Sequence, residues 1–289
     1  MLSVIIVSWN TCNLLRSCLQ SLYQHPPETP LEVIVVDNAS TDGSAEMVRA
    51  EFPQVHLIAS DKNFGYARGN NLGFAVASGE WLLTLNPDTE VFEDTLNEAI
   101  HVLKNYPQAG ALGARQIGLD GWVQSSIRGF PGVLGILGDI TGLGKRMPGS
   151  MLDSYRLSSF DYETEQIAPQ PMGTFILFRR EALEAVGDPK APFDEGFPIF
   201  FNEVDLLYRL KQRGWDCVYA PSVRLRHYGG ESTKQVRKSM IWESHRSLAR
   251  FMRKHYRTVW NAAGIALVSA LLSVSAFFRA KGYDAGFRP

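Results

Sequence analysis

The sequence has little cysteine and no glycine-rich loop after its first predicted strand, and both absences narrow its possible functions. Its three cysteines, Cys12, Cys18 and Cys217, are an odd number without metal-site or redox spacing, so no disulfide framework is expected and the thiols suit a cytosolic protein. The segment Ser8–Leu14 contains no glycine. It therefore carries no dinucleotide-binding fingerprint, and a nicotinamide or flavin site is not expected.

The sequence also lacks a basic leader and an overall excess of charge. The apolar run Leu2–Val7 is too short for a signal peptide, so no secretion signal is expected. The formal net charge of −1 conceals an asymmetry, because residues 1–210 carry 14 Lys and Arg against 26 Asp and Glu, whereas residues 211–289 carry 15 against 4. The basic C-terminal part is therefore expected to contact something anionic, such as membrane phospholipid or nucleic acid.

Short apolar runs and amphipathic stretches alternate through the first 114 residues. This βαβα rhythm predicts an α/β fold, with a mostly parallel sheet and helices on both of its faces. The predicted strands are Leu2–Val7, Leu31–Val36, Val55–Ala59, Trp81–Leu85 and Gly110–Ala114. The predicted helices are Leu14–Tyr23, Ser44–Glu51, Tyr66–Ala77 and Glu93–Asn105.

Residues 115–170 are rich in Gly, Pro and Ser and show little periodicity, which predicts loops. One of these loops is Gly138–Arg146, whose glycine spacing is one residue too long for a phosphate-binding P-loop. Beyond residue 170, the sequence predicts strands at Thr174–Phe178, Cys217–Ala220 and Val223–Leu225, and helices at Glu181–Val186 and Val204–Arg213.

Polar side chains follow three of the predicted strands. Ser8 and Asn10 follow the first strand, Asp37 and Asn38 the second, and Asn86-Pro87-Asp88 the fourth. Because the carboxyl ends of parallel strands meet at one edge of a sheet, these side chains are expected to line one crevice. An amide and a carboxylate held on a stiff proline segment suit a hard divalent cation that also holds a phosphate. The alternative is an ordinary turn.

Several segments, taken in order, resemble a known family. They are Ser3–Asn10, Val35–Ser44, Asn63–Gly73, Leu85–Thr89, Gly173, Phe193–Glu195, Asn202–Leu206 and His227–Ser232. Together they resemble the family 2 glycosyltransferases, in particular the bacterial rhamnosyltransferase subgroup, over most of residues 1–235. The resemblance implies a GT-A nucleotide-sugar-binding fold for residues 1–233, with a nucleotide-binding half at 1–114 and an acceptor and catalytic half at 115–233.

The resemblance also implies which residues contact the donor, a dTDP- or UDP-sugar. They are Ser8, Asn10, Asp37, Asn38, Asn63, Arg68, Asn70 and Asn86. In this arrangement the carboxylate of Asp37 could accept the imide N–H of uracil or thymine, and Arg68 would lie near the phosphates. The alternative for Asp37-Asn38 is a turn that caps the helix from Ser44, and for the asparagines around Arg68 it is packing at a helix terminus.

A divalent cation, Mg²⁺ or Mn²⁺, and a catalytic base are implied in the same way. Asp88 would be the principal metal ligand, with Asn86 where the family usually has a further aspartate. His227 is the candidate second ligand, the alternative being a structural histidine. Glu203 would take the proton of the acceptor hydroxyl, and Asp205 is the second candidate for this base. The alternative role for this acidic segment is capping of the helix that follows.

Residues 234–289 combine a basic helix with an apolar one. Arg246, Arg250, Arg253, Lys254 and Arg257 share one helical face, and Thr258–Phe278 is free of charge over 21 residues. That length can cross a bilayer core, but its Ser and Asn content counts against spanning, and the alternatives are a helix in the membrane interface or a helical hairpin buried in a homodimer. The basic residues favour the cytoplasmic face of the inner (plasma) membrane. Because an apolar run follows the charges, no nucleic-acid partner is expected.

These features predict an inverting, metal-dependent transferase. It would move a sugar, rhamnose by resemblance, from a nucleoside-diphosphate sugar to a saccharide or polyprenyl-linked acceptor in cell-surface polysaccharide synthesis. Two alternatives stay open. One is a sugar nucleotidyltransferase, against which the absence of glycine from Ser8–Leu14 counts. The other is a nucleotide-sugar-binding protein that has lost its base, to which Asn86 and Asn202 give some weight.

Overall fold

A computed structural model describes residues 1–229, 237–256 and 259–284. Residues 230–232 of the segment that starts at His227 lie outside this range, as do Arg257 and Thr258. The chain divides into two compact units. The first unit comprises Met1–Ile127, Asp161–Pro198 and Asn202–Ser232, and the second comprises Arg128–Phe160, Ile199–Phe201 and Thr233–Pro289. Residues 128–160 and 199–201 thus group with the C-terminal helices, which differs from the predicted boundary at residue 233.

The first unit is built on one mixed sheet. The strands of the chain are β1 (Leu2–Ser8), β2 (Leu31–Asp37), β3 (His56–Ala59), β4 (Trp81–Leu85), β5 (Thr89–Val91), β6 (Ala109–Ile117), β7 (Ile127–Arg128), β8 (Gln166–Ile167), β9 (Gln170–Pro171), β10 (Phe175–Arg179) and β11 (Asp216–His227). The sheet order is β3-β2-β1-β4-β10-β6-β11-β5, with β8 beside β11, while β7 pairs with β9. Strands β3, β2, β1 and β4 are parallel, and β10 runs antiparallel to β4 and β6.

The helices are assigned to the two units as follows. The first unit contains α1 (Cys12–Gln24), α2 (Ser44–Glu51), α3 (Tyr66–Val76), α4 (Thr95–Asn105), α7 (Arg180–Glu184) and α8 (Asn202–Gln212). The second contains α5 (Val133–Thr141), α6 (Leu143–Arg146), α9 (Arg237–His255) and α10 (Val259–Asp284).

Two details of the predicted elements are wrong. The expected loop Gly138–Arg146 is largely helical, because Gly142, at φ 72°, ends α5 and at once begins α6. The two short strands predicted after Cys217 are a single strand, β11, with a register shift between Ala220 and Arg224. Pro221 lies at that shift and has no N–H to donate, so the ladder is interrupted while the strand continues.

Helices pack on both faces of the sheet because the side chains of β1 alternate. Leu2, Val4 and Ile6 join a buried cluster that includes residues of α1. Val7, on the other face, meets α3, and a Cβ added at Gly69 would lie 2.7 Å from the Val7 side chain. Gly73 similarly packs against Ile5. The two glycines therefore let α3 approach β1 closely, which explains why glycine stands at these two positions of the Asn63–Gly73 segment.

Among the residues that the structure describes, one helix, in the second unit, is long and apolar enough to cross a membrane. This is the stretch Asn261–Phe278 of α10, which has a mean hydropathy of 1.8 and is 22% buried. It packs against α9, where Phe251 and Met252 are fully buried. Gly264 of α10 also approaches Val133 of α5.

Candidate active site

The polar residues at the ends of β1 and β2 lie together, as predicted. Ser8 and Asp37 are partners in the parallel ladder, and the hydroxyl of Ser8 lies 2.9 Å from that of Thr11. Asn10, at φ 51°, donates its N–H to the Ser40 hydroxyl, and its Oδ1 accepts the N–H of Thr41 at 2.8 Å. Asn10 therefore joins the turns that follow the two strands, so its amide oxygen already has a partner.

Asp37 is the one residue of this group with a buried acceptor oxygen left over. Its Oδ2 accepts the N–H of Ser40 at 3.1 Å, whereas Oδ1 accepts no hydrogen bond from any residue that the structure describes. Such an oxygen is costly to bury unless a ligand donates to it. The first N–H of α2, that of Ser44, donates instead to the Oδ1 of Asp42 at 3.1 Å. This leaves Asp37 available for a ligand N–H.

Asn38 and Asn63 shape the loop that leads into α3. The amide of Asn38 donates to the carbonyl of Gly65 at 3.0 Å and accepts the N–H of Phe64 at 3.1 Å. Asn63 accepts the N–H of Gly65 at 2.9 Å. Gly65, at φ 82°, lies so close to the Pro198 carbonyl that a Cβ would be 2.6 Å from that oxygen. The side chains of Asn38 and Asn63, both predicted to contact the donor, are thus hydrogen-bonded to the main chain of this loop.

Arg68 and Asn70 lie on different sides of α3. Arg68 is exposed, and its guanidinium lies 4.2 Å from the centre of the Phe64 ring. Asn70 is fully buried and donates to the carbonyl of Tyr66 at 2.9 Å. Asn71, which is not among the predicted site residues, exchanges two 3.0 Å hydrogen bonds with the main chain of Phe193. Asn71 lies in the Asn63–Gly73 segment that carries the family resemblance. Its packing role depends on a partner 122 residues away along the chain.

Asp88 and His227, the two predicted metal ligands, lie close to each other. The Nε2 of His227 lies 3.7 Å from the Oδ2 of Asp88, and both side chains are largely buried. The main chains are also joined, since Tyr228 donates its N–H to the Asp88 carbonyl at 2.9 Å. Asn86 is half-buried, and its N–H donates to the Thr174 carbonyl at 2.9 Å. The segment is therefore a turn that also presents a carboxylate.

Gln124, which is not among the predicted site residues, orients His227. Its Oε1 lies 2.7 Å from the Nδ1 of His227, and its Nε2 donates to the main-chain carbonyl of the same residue at 3.1 Å. An amide oxygen only accepts, so Nδ1 carries the proton, and in the neutral ring Nε2 presents its lone pair toward Asp88. No local motif marks Gln124, because it lies in the weakly periodic stretch 103 residues from its partner.

The pair fits a divalent cation in part. Two ligands about 2.1 Å from an octahedral ion lie about 3 Å apart, so the separation of Asp88 and His227 needs only a small adjustment. Within residues 1–229, 237–256 and 259–284, no cluster of three or more His, Cys, Asp or Glu side chains is present. Most ligands of an ion held here would therefore come from a bound diphosphate and water, as is usual for Mg²⁺.

Glu203 has the environment of a general base. It stands in the first turn of α8, its carboxyl carbon would lie 3.5 Å from a Cβ added at Gly173, and burial raises its pKa to about 7. Tyr66 donates its hydroxyl to the Gly173 carbonyl at 3.0 Å. Burial raises the pKa of Tyr66, and the charges of Glu203 and Asp88 raise it further. The base candidate and the metal candidate therefore share one electrostatic neighbourhood.

Asp205 is engaged elsewhere. It is fully buried, and its Oδ2 accepts a hydrogen bond from the Nε of Arg209 at 2.8 Å. The same guanidinium donates to the Pro192 carbonyl at 2.5 Å. The carboxyl of Glu203, in contrast, is influenced by the nearby main-chain N–H groups of Glu203 and Val204, which lower its pKa against the larger effect of burial. The geometry favours Glu203 over Asp205 as the base, and capping of α8 stays the alternative role for Glu203.

The comparisons with known proteins decide the family. A model of glycosyl transferase family 2 matches residues 3–187. The chain belongs to this family. It is a glycosyltransferase similar to the N-acetylglucosaminyl-diphospho-decaprenol L-rhamnosyltransferase of Mycobacterium tuberculosis, with 29% identity over 81% of this chain and 78% of the relative. The O-antigen biosynthesis protein RfbC of Myxococcus xanthus is 27% identical over 80% of the chain but only 18% of its own length.

Solved structures of this glycosyltransferase's fold confirm the predicted GT-A architecture. The mannosyltransferase PcManGT from Pyrobaculum calidifontis, solved with GDP-Man and Mn²⁺, superposes with a TM-score of 0.61, covering 99% of this chain and 78% of its own at 20% identity. S. aureus TarS residues 1–349 with UDP gives a TM-score of 0.53 over 92% of this chain and 74% of its own at 19% identity. At these identities the likeness concerns the fold alone.

Proposed function

We propose that this glycosyltransferase transfers rhamnose from a dTDP- or UDP-sugar to a saccharide on a polyprenyl diphosphate, at the cytoplasmic face of the inner membrane. The observation that supports the proposal is that one segment, Gly173-Thr174, contacts both parts of the candidate site. Gly173 lies beside the carboxyl of Glu203, and the Thr174 carbonyl accepts the N–H of Asn86, two residues before Asp88. The sugar and the lipid-linked acceptor are inferred from the name of the mycobacterial relative.

The residues around the donor have distinct roles in this proposal. The unpartnered Oδ1 of Asp37 accepts the imide N–H of uracil or thymine, while Ser8 and Asn10 hold the turns around the nucleoside. Asn38, Asn63 and Asn70 act as supports of the loop and of α3, and Arg68 is exposed for the donor phosphates. Asn86 and Asp88 face the diphosphate, with Asp88 and His227 holding Mg²⁺ or Mn²⁺.

The chemistry assigned to the chain's own residues is proton removal and orientation. Glu203 takes the proton of the acceptor hydroxyl as the new C–O bond forms at the anomeric carbon and the bond to the diphosphate breaks. Attack opposite the leaving group inverts the anomeric configuration. The cation, when bound, neutralises negative charge on the departing nucleoside diphosphate. A pKa near 7 lets Glu203 be ionised at the start and still accept a proton.

A thermal-shift screen tests the donor assignment. Purified full-length protein is mixed with dTDP-rhamnose, UDP-sugars and GDP-mannose, each with and without Mn²⁺, because a ligand that binds only the folded state raises the unfolding temperature. We expect the largest rise with dTDP-rhamnose or a UDP-sugar plus cation, and loss of that rise in Asp37→Ala. A rise with GDP-mannose alone would overturn the donor assignment.

An acceptor assay separates the enzyme from the binding-protein alternative. Transfer of labelled rhamnose to N-acetylglucosaminyl-diphospho-polyprenol is measured for the wild type and for Glu203→Gln. We expect both proteins to bind donor but only the wild type to turn over. Donor binding without any transfer by the wild type, over a panel of lipid-linked acceptors, would support the binding protein instead.

A further inference from the structure

A cavity in the second unit lies outside the proposed active-site residues. It occupies about 510 Å³ between α9 and α10. Its lining includes Trp242, Arg246, Arg250, Arg253, Lys254 and Ser273. The α9 members recur at three- and four-residue spacing, so they form one face of that helix, while Leu248, Phe251 and Met252 on the other face are buried. We call this space the α9–α10 cavity.

The charge of the α9–α10 cavity is strongly one-sided. Three arginines and one lysine line it, whereas the sequence of α9 holds one carboxylate, Glu243, which accepts the hydroxyl of Ser247 at 3.1 Å. Guanidinium groups match the geometry of phosphate oxygens and are common partners of phosphate in proteins. On the α10 side, the Ser269 hydroxyl accepts a hydrogen bond from the Nη2 of Arg253 at 3.5 Å, and the Ser273 hydroxyl donates to the Ser269 carbonyl at 2.9 Å, so the cations of α9 are the groups that a ligand would meet. A phosphate-bearing ligand is therefore the chemistry that this cavity fits.

The outer surface of α10 beside the cavity is apolar and exposed. Leu267, Val274, Phe277 and Phe278 are 46–65% exposed, and Val274 directly follows the cavity residue Ser273. Exposed aromatic and aliphatic side chains next to a cationic site are the arrangement expected at a lipid interface, where acyl chains and phosphates lie a few ångströms apart.

We propose that the α9–α10 cavity binds the phosphate headgroup of an anionic membrane phospholipid, with the exposed apolar side chains of α10 inserted in the adjoining acyl layer. Trp242 at the cavity suits the level of the headgroups, where Trp is enriched. The proposal adds a specific lipid site to the membrane location within the proposed function. It is independent of the donor and of the acceptor sugar.

Vesicle binding by full-length protein tests the site. The cavity variant is Arg250→Gln/Arg253→Gln, and the matched control is Lys145→Gln/Arg146→Gln, which removes two exposed charges from α6 of the same unit. Each protein is sedimented with phosphatidylcholine vesicles, with or without phosphatidylglycerol, at physiological salt. We expect the cavity variant to lose at least about tenfold in affinity for the anionic vesicles, and the control to stay within about twofold.

Equal losses for the two variants would show general charge attraction and would overturn a specific site. A second measurement compares thermal stabilisation by short-chain phosphatidylglycerol and by inorganic phosphate. We expect the lipid to stabilise the wild type but not the cavity variant. Equal stabilisation by inorganic phosphate would show that the cavity binds free phosphate and would overturn the phospholipid as its ligand. A wild type that dimerises in solution and stays off anionic vesicles would assign the apolar face to a second copy instead.

Two controls keep this result separate from the proposed function. Both variants should keep the unfolding temperature of the wild type, because the replaced side chains lie on exposed helix faces. Both should also keep transfer to a water-soluble acceptor. Loss of vesicle binding with retained transfer supports the lipid site, whereas an unexpected donor in the screen leaves the vesicle result unaffected.

Discussion

The two compact units differ in the way that they use charge. In the first unit the carboxylates of the candidate site are buried at separate positions, and Asp37, Asp88 and Asp205 are at most 5% exposed. In the second unit, cations such as Arg246 and Arg250 are exposed together on one face of α9. Loss of the partner of a buried charge should strongly lower stability, because an unpaired buried charge costs much free energy. Exposed charges act collectively and are screened by salt.

The comparison yields a simple expectation for substitutions. Single substitutions in the first unit should have large and specific effects. In the second unit, the loss of membrane binding should depend only on the number of charges removed, except at the proposed headgroup site in the α9–α10 cavity. The predictions below test the first half of this contrast, and the vesicle experiment tests the second.

The largest effect is expected from Asp88→Asn. Removal of the carboxylate that faces His227 should lower kcat/KM by about 10³-fold, because a bound cation stabilises the leaving group by several kcal/mol. Transfer is measured across a Mn²⁺ titration. The matched control is Asp94→Asn, an exposed aspartate at φ 61°, where asparagine is well tolerated. Similar rates for the two variants would remove Asp88 from the cation site.

A smaller but still large loss is expected from Glu203→Gln. Without the base, kcat/KM should fall several hundredfold while donor binding stays unchanged. Unchanged turnover would exclude Glu203 as the base and leave helix capping as its alternative role. A parallel Asp205→Asn measurement would then decide whether that carboxylate supplies the base.

The pH dependence sharpens the same assignment. Because the pKa of Glu203 is raised to about 7, its ionised form should dominate above that pH, and kcat/KM of the wild type should rise through this range to a plateau. The stability has the opposite sign. A folded-state pKa above the unfolded value means that stability is fully present below about pH 4.5 and is lost as the pH rises through 7. Glu203→Gln should therefore unfold at a higher temperature than the wild type above pH 7, and a constant difference across pH would contradict the assignment.

Asp205→Asn should act on stability. It breaks a buried ion pair with Arg209 at 2.8 Å, which typically costs about 3 kcal/mol. The matched control is Glu46→Gln, because Glu46 pairs with Arg49 at 3.7 Å with both side chains more than half exposed. We expect a clear fall in unfolding temperature for the buried pair and almost none for the exposed one. Equal small shifts would show that burial does not separate the two pairs.

The smallest effect is expected from Gln124→Leu. Loss of the amide that holds the Nδ1 proton of His227 should weaken apparent Mn²⁺ affinity by about tenfold, as found for partners of ligating histidines. Binding is followed by thermal shift as well as by rate, and saturating Mn²⁺ should restore most of kcat. Gln20→Leu, on the exposed side of α1, serves as the control. An unchanged Mn²⁺ midpoint would exclude an orienting role.

Much of the first unit was predictable because its strands are short, apolar and separated by helix patterns. The same pattern placed Ser8, Asp37 and Asp88 at strand ends. Prediction failed where tertiary contacts decide the outcome. The Gly138–Arg146 stretch is largely helical although its glycines and weak periodicity indicated a loop. The single strand β11 tolerates Pro221 because its neighbour β6 continues past the shift.

The sequence by itself determined the α/β fold, the polar strand ends and the separation of basic from acidic residues, since each depends on local periodicity and composition. The tertiary structure decided which polar groups are already satisfied. Asn38 is engaged by the loop at Gly65, Asp205 by Arg209, and His227 by Gln124, whereas Asp37 keeps a buried oxygen without a partner among the described residues. Hydrogen bonds between distant residues depend on packing in three dimensions, which spacing along the chain does not contain.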